Sequence, residues 1–237
     1  MKYMGSKSRI AKYIVPIIQK SIDESGYTTY IEPFCGGCNV VDSIRANNRL
    51  ANDINPYLIA LYDAILYHDI KLPAIITREE YMSVRSAQTN YPMWYVGAVG
   101  FLASYNGKFF GGYSGVVNTR GGVRDYYDEA RRNLEAQIPS LRGVKFSYTD
   151  YNAILPKRAV IYCDPPYADT TGYGGTISFE HDRFWDYVRY VSKDNIVFVS
   201  EHSAPDDFIS IWERPVTRTL DNAKRSVAIE KLFQYKG

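Results

Sequence analysis

The sequence contains few of the residues that build metal centres and disulfide frameworks. Of its 237 residues only three are cysteine and three are histidine. Cys35 and Cys38 have the C-x-x-C spacing of redox and zinc sites, but the third cysteine, Cys163, lies in a predicted strand and the histidines are not at ligand spacing. A small, odd number of cysteines also fits a reducing compartment. We therefore expect no metal site and no disulfide.

Long hydrophobic runs and a strong excess of one charge are also absent. No apolar run reaches the roughly 20 residues of a membrane-spanning helix, and the amino terminus has no secretory hydrophobic segment. We therefore expect a cytoplasmic protein with no membrane partner, and nothing in the sequence implies an obligate protein partner. Lys and Arg number 28 against 26 Asp and Glu, a net charge of +2, so any nucleic-acid-binding surface must be local.

The residues that are present follow the pattern of an α/β protein. With 46% hydrophobic residues, the chain can bury a full core. Short β-rich runs alternate with segments of helical spacing, which predicts an α/β fold with buried parallel strands. The predicted strands cover 27–32, 50–53, 144–148, 159–163 and 196–200, the predicted helices cover 10–22, 40–46, 57–67, 78–87 and 184–191, and a hairpin-like region covers 223–234.

The most informative stretch is Cys163-Asp164-Pro165-Pro166-Tyr167, at the end of a buried run. Proline has no N–H for a strand ladder and pushes the preceding residue to extended geometry, so the chain must leave the sheet as a stiff corner. An aromatic amine is a poor nucleophile because its lone pair is delocalised into the ring. The Asp164 carboxylate and the Pro165 carbonyl can accept both of its hydrogens and favour a pyramidal nitrogen, and Tyr167 offers a face for stacking a base. The alternative is an ordinary loop after a strand.

A second stretch, Glu32 to Gly37, joins a predicted strand to the predicted helix at 40–46 through a glycine turn. Such a turn lets the backbone approach a ligand at a helix amino terminus, although it matches neither the dinucleotide fingerprint nor a phosphate loop. Asp53 follows at the end of the next strand, where nucleotide-binding α/β folds place a carboxylate for ribose hydroxyls. Its alternative role is a helix cap. The two features together predict a nucleoside-bearing cofactor.

The segment from about Lys71 to Ser140 changes character. Within it, Tyr105 to Gly115 is so rich in glycine and aromatic residues that it cannot form a regular helix, and we expect a mobile loop or hairpin with exposed tips. A glycine-rich surface loop is one interpretation. Basic side chains interleaved with aromatics are also what a nucleic-acid groove contact requires. On that interpretation the candidate contact residues are Asn106, Lys108, Arg120 and Arg124.

These blocks together resemble the DNA adenine-N6 methyltransferase family, in the Dam-like group whose cofactor motif comes first and whose Asp-Pro-Pro-Tyr motif comes last. The resemblance implies a doubly wound, mostly parallel sheet of the S-adenosylmethionine-dependent methyltransferase type. It also implies a catalytic domain formed by residues 1–70 and 141–237, with residues 71–140 as an inserted helical and loop segment for target recognition. The matching blocks, in the order of the family, are Tyr3 to Lys7, Tyr30 to Gly37, Asn52 to Asn55, the Asn106-Gly107 region and Asp164 to Tyr167.

The resemblance further implies roles for individual residues. Asp164, Pro165, Pro166 and Tyr167 would form the catalytic motif. Asp164 and Pro165 would hold N6 of an adenine flipped out of double-stranded DNA, and Tyr167 would stack on that base. S-adenosylmethionine would be the cofactor, with Asp53 on its ribose hydroxyls and Asp150 on its adenine amino group. The full set implied for cofactor binding is Tyr3, Lys7, Glu32, Pro33, Phe34, Cys35, Gly36, Asp53, Ile54, Asp150, Tyr151 and Asp164.

Two other classes of function stay open at this point. Related motifs occur in methyltransferases that act on RNA adenine, on cytosine N4 or on protein glutamine. A DNA-binding module without catalysis would keep the same basic middle segment. The aspartate that begins the catalytic motif and the long insertion favour adenine in DNA as the substrate.

Overall fold

The computed structural model describes residues 1–119, 121–167, 179–221 and 224–237. Its strands are β1 (Thr29–Glu32), β2 (Asn48–Asn52), β3 (Val116–Thr119), β4 (Gly122–Asp125), β5 (Val144–Ser147), β6 (Ala159–Cys163), β7 (Ile196–Glu201), β8 (Phe208–Asp221) and β9 (Lys224–Tyr235). Seven strands form one sheet in the order β5-β2-β1-β6-β7-β9-β8. The first five of that order are parallel, and β9 and β8 are antiparallel additions. The predicted α/β fold with a mostly parallel sheet is confirmed.

The helices of the described residues also match the apolar spacing of the sequence in most places. In α1 the residues Ile14, Ile18 and Ile22 are buried, as expected for one face of an amphipathic helix. Gly26, at φ +69°, ends that helix. The α-helices are α1 (Ala11–Ser25), α2 (Pro56–Tyr67), α3 (Arg78–Ser86), α4 (Met93–Gly97), α5 (Tyr126–Leu141) and α6 (His181–Ser192), and a π-helical turn at Ala98–Leu102 continues α4.

The segment after the glycine turn differs from the prediction. The sequence predicts a helix over 40–46, but the structure has only a 3-10 turn at Val41–Ser43, after which Ile44 is extended. Val41 and Ile44 are both buried, so the apolar spacing that suggests a helix here serves the packing of a tight turn. The glycine turn therefore does not lead into the amino terminus of a regular helix.

The aromatic residues of the middle segment are mostly packed, whereas the sequence suggests exposed tips. Phe109 lies between Phe101 and Tyr57, with ring centroids 4.9 and 5.6 Å away. Phe110 is buried and meets the Tyr81 ring edge-on at 5.3 Å. Tyr105 is exposed. Ring packing therefore fixes this glycine-rich stretch to the body of the protein.

Helix α5 is absent from the sequence-based prediction. It lies beside the Val41–Ser43 turn, where the Gln137 side-chain amide donates to Asp42 Oδ2 at 2.7 Å. The assignment of residues 71–140 to a separate recognition segment stays a prediction.

The carboxyl-terminal hairpin is longer than the region predicted at 223–234. It consists of β8 and β9, with Arg214 beside Glu230 in the register, and β9 also pairs with β7. Residue 223 lies outside the described part of the chain. Across the described ranges, the structure has no helix with the length and apolar character needed to span a membrane.

Candidate active site

Two parallel strands bring the two main sequence motifs together. Strand β1 pairs with β6, with Ile31 beside Ile161. Glu32, the last residue of β1, and Asp164, the first after β6, therefore lie at the same edge of the sheet. Open α/β sheets bind their ligands at this edge. A cavity of about 350 Å³ lies there, and its walls include Tyr3, Lys7, Glu32, Phe34, Cys35, Gly36, Asp53, Ile54, Asp164 and Pro166 from the predicted set.

Asp53 is tied to the glycine turn by backbone hydrogen bonds. The Gly36 N–H donates to Asp53 Oδ2 at 3.1 Å, and the Asn55 N–H donates to Oδ1 at 3.0 Å. Gly36 has φ +44°, and a Cβ there would lie 2.8 Å from the Tyr3 ring, so the turn requires glycine. Burial raises the pKa of Asp53 to about 6, although both hydrogen bonds favour the charged form. A further hydrogen-bond donor from a ligand in the cavity would therefore stabilise the ionised form of this carboxylate.

Asn52 connects the loops around this carboxylate. Its side-chain amide donates to the carbonyl oxygens of Pro33 and Thr149, both at 3.0 Å. Its amide oxygen accepts from the Ser147 hydroxyl at 2.9 Å and from the Thr149 N–H at 3.0 Å. Pro33, predicted to contact the cofactor, is outside the lining of the cavity and supports the wall through its carbonyl.

Glu32 is a buried carboxyl on the cavity wall. It is 2% exposed and accepts a hydrogen bond from the Tyr30 hydroxyl at 2.7 Å. Burial raises its pKa well above the ordinary range of a glutamate, and the carboxylates of Asp42 and Asp164 raise it further. A cationic ligand group in the cavity would oppose that shift, because a nearby opposite charge favours the ionised carboxylate.

Asp164 forms an ion pair with Lys7. The Lys7 Nζ lies 3.0 Å from Asp164 Oδ1, and the two side chains are 9% and 19% exposed. Burial raises the pKa of Asp164 to about 6, while Lys7 lowers it and the carboxylate of Glu230 raises it. At neutral pH the Asp164 carboxylate is therefore mostly ionised and can accept hydrogen bonds.

The Tyr167 ring is covered, whereas the sequence predicts a face open to a base. The residue is 7% exposed, and its hydroxyl donates to Glu230 Oε2 at 2.9 Å. The Lys7 Nζ lies 4.1 Å from the ring centroid. The His202 ring meets the Tyr167 ring edge-on at 4.6 Å.

Two other predicted cofactor residues lie beyond the cavity wall. The Tyr151 ring is 5.1 Å from the ring of Phe34, which does line the cavity. Asp150 Oδ1 accepts from the backbone and the side-chain amides of Asn152, both at 2.9 Å, and its Oδ2 lies 3.9 Å from an Arg183 nitrogen. Phe34 thus links Tyr151 to the cavity, whereas Asp150 contacts Asn152 and Arg183.

A wider groove adjoins the cavity. Its volume is about 1040 Å³, and Pro165, Tyr167, Asn106 and Arg124 line it, whereas Lys108 lines the first cavity. Asp164 and Lys7 line both. Arg120 lies outside the described residues. The structure therefore places two of the predicted DNA-contact residues on the groove and one on the cavity.

Glu230 and His202 belong to this site but are absent from the predicted set. Glu230 comes from β9 and is 6% exposed, and His202 follows β7, with its Nε2 at 4.0 Å from Glu230 Oε1. Both residues are far from the sequence motifs along the chain. The pairing of β6 with β7 brings His202 to this site, and the pairing of β7 with β9 brings Glu230. The signal for Glu230 in the sequence is a charged pair, Glu230-Lys231, between the apolar runs 227–229 and 232–233.

Comparisons with known proteins give several relatives of moderate identity. The chain is 28% identical over 194 residues to the type II methyltransferase M.FokI of Planomicrobium okeanokoites. The aligned region covers 73% of this chain and 29% of that protein. It is 27% identical over 228 residues to the retron Ec67 DNA adenine methylase of Escherichia coli, and this alignment covers 84% of this chain and 76% of that protein. It is 28% identical over 206 residues to a DNA adenine methylase of Vibrio cholerae serotype O1, with 78% and 70% covered.

The chain thus spans less than a third of the length of M.FokI and most of the length of the other two relatives. A family model matches residues 3–195, which include the glycine turn, Asp53 and the Asp-Pro-Pro-Tyr motif. The chain belongs to the D12 class N6 adenine-specific DNA methyltransferase family.

Proposed function

We propose that this protein transfers a methyl group from S-adenosylmethionine to N6 of adenine in double-stranded DNA. The observation that carries the proposal is the position of Asp164 on the walls of both the cavity and the groove. A methyl donor in the cavity and a base in the groove would both reach this carboxylate. Family membership supports the same chemistry.

The groups on the cavity wall fit S-adenosylmethionine. The carboxylates of Glu32 and Asp53 suit the α-ammonium group and the ribose hydroxyls. Lys7 and Lys108 are the lining residues with a positive charge, and because Lys7 is paired with Asp164, we assign the cofactor carboxylate to Lys108. Ile54, which is 71% exposed, offers an apolar surface for the adenine ring. The predicted contacts of Tyr3, Phe34, Cys35 and Gly36 are part of this proposal.

Asp150, Tyr151 and Pro33 have supporting roles in the proposal. Tyr151 holds Phe34 by ring packing, and Asp150, by resemblance to the family, would accept from the adenine amino group. Pro33 is held by Asn52. Tyr151 and Pro33 therefore support the wall that would receive the adenine end of the cofactor.

Asp164 and Pro165 act on the target amine. S-adenosylmethionine, when bound, supplies an electrophilic methyl group on a sulfonium. The Asp164 carboxylate and the Pro165 carbonyl accept the two N6 hydrogens and so free the lone pair of the nitrogen. Asp164 Oδ1 or Oδ2 then holds the proton that N6 loses. Pro166 stiffens the corner, and fixed placement of the amine supplies much of the rate.

The target adenine must leave the duplex to reach Asp164. Flipping a base out costs a few kcal/mol, and we propose that the Tyr167 ring stacks on the flipped base. The groove supports this assignment because Asn106 and Arg124 lie along it. Both residues belong to the middle segment, which we propose as the target-recognition segment, together with Arg120.

The proposal is tested with S-adenosylmethionine carrying a labelled methyl group. We expect the native protein to label unmethylated double-stranded DNA at adenine N6, and to label RNA of the same sequence far less. Asp164→Ala and Asp164→Asn are expected to lose transfer by at least about a hundredfold, the range for general acid–base groups. Asp182→Asn, at an exposed position on α6, is the control. Label on RNA or on cytosine, or equal transfer by Asp164→Asn, contradicts the proposal. Sequencing of the labelled DNA then maps the recognition site.

A further inference from the structure

Lys7 makes the two contacts that the proposed function assigns to the target adenine. Its Nζ is 3.0 Å from Asp164 Oδ1 and 4.1 Å from the centre of the Tyr167 ring. A carboxylate that holds an ammonium group at this distance has less capacity for a neutral amine, because a charge-assisted hydrogen bond is stronger than one between neutral groups. The adenine must therefore displace Lys7 from both Asp164 and Tyr167.

A second carboxylate lies next to the Lys7 ammonium. Glu230 Oε2 is 3.7 Å from Lys7 Nζ, and the same oxygen accepts the Tyr167 hydroxyl at 2.9 Å. Glu230 is held on β9 by the pairing of its strand with β8. A shift of the ammonium by about the length of one bond would bring it to Glu230, within the ordinary range of a charge-assisted hydrogen bond of roughly 2.7–2.9 Å.

We propose that Glu230 is a positioning residue for methyl transfer: it takes the Lys7 ammonium when the target amine binds Asp164. This inference rests on the proposed function. A buried ammonium that loses its partner is costly, so without Glu230 the lysine would stay on Asp164 and compete with the adenine. With Glu230 present, Lys7 exchanges one carboxylate for another and keeps its charge paired. Glu230 also holds the Tyr167 hydroxyl, which fixes the ring on which the base stacks.

The inference is tested by Glu230→Gln in a double-mutant cycle with Lys7→Met. Glutamine keeps the size of the side chain and an oxygen that accepts the Tyr167 hydroxyl, but it removes the charge that attracts Lys7. We expect Glu230→Gln to lower the single-turnover transfer rate by at least about tenfold in the native background. In the Lys7→Met background the same change should cost less than about threefold, because no ammonium is left to compete. Glu213→Gln, an exposed position on β8, is the control.

A second readout does not depend on transfer. Within the described ranges, the charged and titratable groups around Asp164 and Glu230 include Lys7, Glu32, Tyr162, Cys163, Tyr167 and His202. Because the Glu230 carboxylate raises the pKa of Asp164, Glu230→Gln should move the titration of the Asp164 carboxyl to lower pH. This titration is followed by carbon-13 NMR of the cofactor-free protein, and the spectrum of Asp164→Asn identifies the signal. A role in folding alone would not move it.

The possible outcomes separate the two proposals. Equal losses from Glu230→Gln in both backgrounds, or an unshifted Asp164 titration, overturn the role of Glu230 and leave the proposed function intact. Absence of transfer by the native protein overturns the proposed function and this inference with it. Non-additive losses together with the shifted titration establish that Glu230 acts through Lys7.

Discussion

Gly107 lies directly against the main chain of Lys2. A Cβ at Gly107 would be 2.4 Å from the Lys2 carbonyl oxygen, and the residue has φ +65°. The middle segment is thus seated on the amino-terminal segment that carries Tyr3 and Lys7. The wall of the cavity formed by Gly107 and Lys108 depends on this contact.

Gly107→Ala should therefore damage both stability and the cavity. Left-handed backbone costs a residue with a side chain about 1–2 kcal/mol, and the clash with Lys2 adds to that cost. Gly26→Ala is a matched control, because Gly26 has φ +69° but nothing within 4 Å of its Cβ position. Urea denaturation should show a larger loss of unfolding free energy for Gly107→Ala, and calorimetry should show weaker binding of S-adenosylhomocysteine. Equal losses in the two variants would contradict the importance of the Lys2 contact.

Asn52→Ala should lower the free energy of unfolding by about 2–3 kcal/mol, because buried groups lose their hydrogen-bond partners. The amide of Asn52 holds Pro33 and Thr149 on either side of the Asp53 loop, so cofactor affinity should fall as well. Asn48→Ala, at an exposed position on the same strand, should change neither quantity. Chemical denaturation and calorimetry measure the two effects, and loss of stability with unchanged affinity would limit Asn52 to the core.

Lys108→Ala should weaken binding of S-adenosylhomocysteine by roughly tenfold or more, the size expected for loss of a charge-assisted hydrogen bond. Its effect on DNA affinity measured without cofactor should be smaller. Lys145→Ala, exposed on β5, is the control. A loss confined to DNA binding would instead assign Lys108 to the DNA surface, as the sequence alone suggests.

The rate of transfer should fall as the pH drops through about 6, because burial raises the pKa of Asp164 to about 6. A protonated Asp164 carboxyl is a weaker acceptor for the hydrogen of the target amine. Lys7→Met should move this acidic limb to higher pH, since Lys7 lowers the pKa of Asp164. The profile of kcat/KM between pH 5 and 8 checks both expectations. A limb that is unchanged in Lys7→Met would mean that another group controls it.

Arg124→Ala should weaken DNA binding and reduce the slope of log affinity against log salt by about 0.9, the value for one phosphate contact. Arg124 lines the groove and is held by Glu129, with hydrogen bonds of 2.5 and 2.8 Å. Arg132→Ala on α5 serves as the control, because Arg132 is 65% exposed and pairs with Asp128. Equal slopes for the two variants would remove Arg124 from the contact surface.

The places of the motif residues on the sheet can be predicted from the sequence better than the local structure around them. Glu32 ends a short strand, and Asp53 and Asp164 each follow one. Short strands of this kind are predictable from apolar runs. Residues 40–46 have the spacing of a helix but form a 3-10 turn, because tertiary packing, which propensity does not include, decides the structure of so short a segment.

Long-range pairings explain the other differences. Glu230 reaches the site only because β9 joins the sheet beside β7, and periodicity carries no information on which strands are neighbours. Phe109 and Phe110 resemble exposed loop residues in sequence, yet their partners Phe101, Tyr57 and Tyr81 come from other segments. Contacts of this kind cannot be read from local composition.

The direct pairing of β1 with β6 also bears on how such a protein changes its specificity during evolution. The cavity and the Asp164 carboxylate are attached to strands that pair directly, without the segment between them. Gly107 to Phe109 form part of the cavity wall, and Phe110 and Tyr113 pack on Tyr81. The exposed strands β3 and β4 are therefore the part of this segment that tolerates exchange best. If the proposed function holds, substitution in the stretch that ends at Asp125, the cap of α5, would alter the DNA sequence that is recognised and leave the chemistry unchanged.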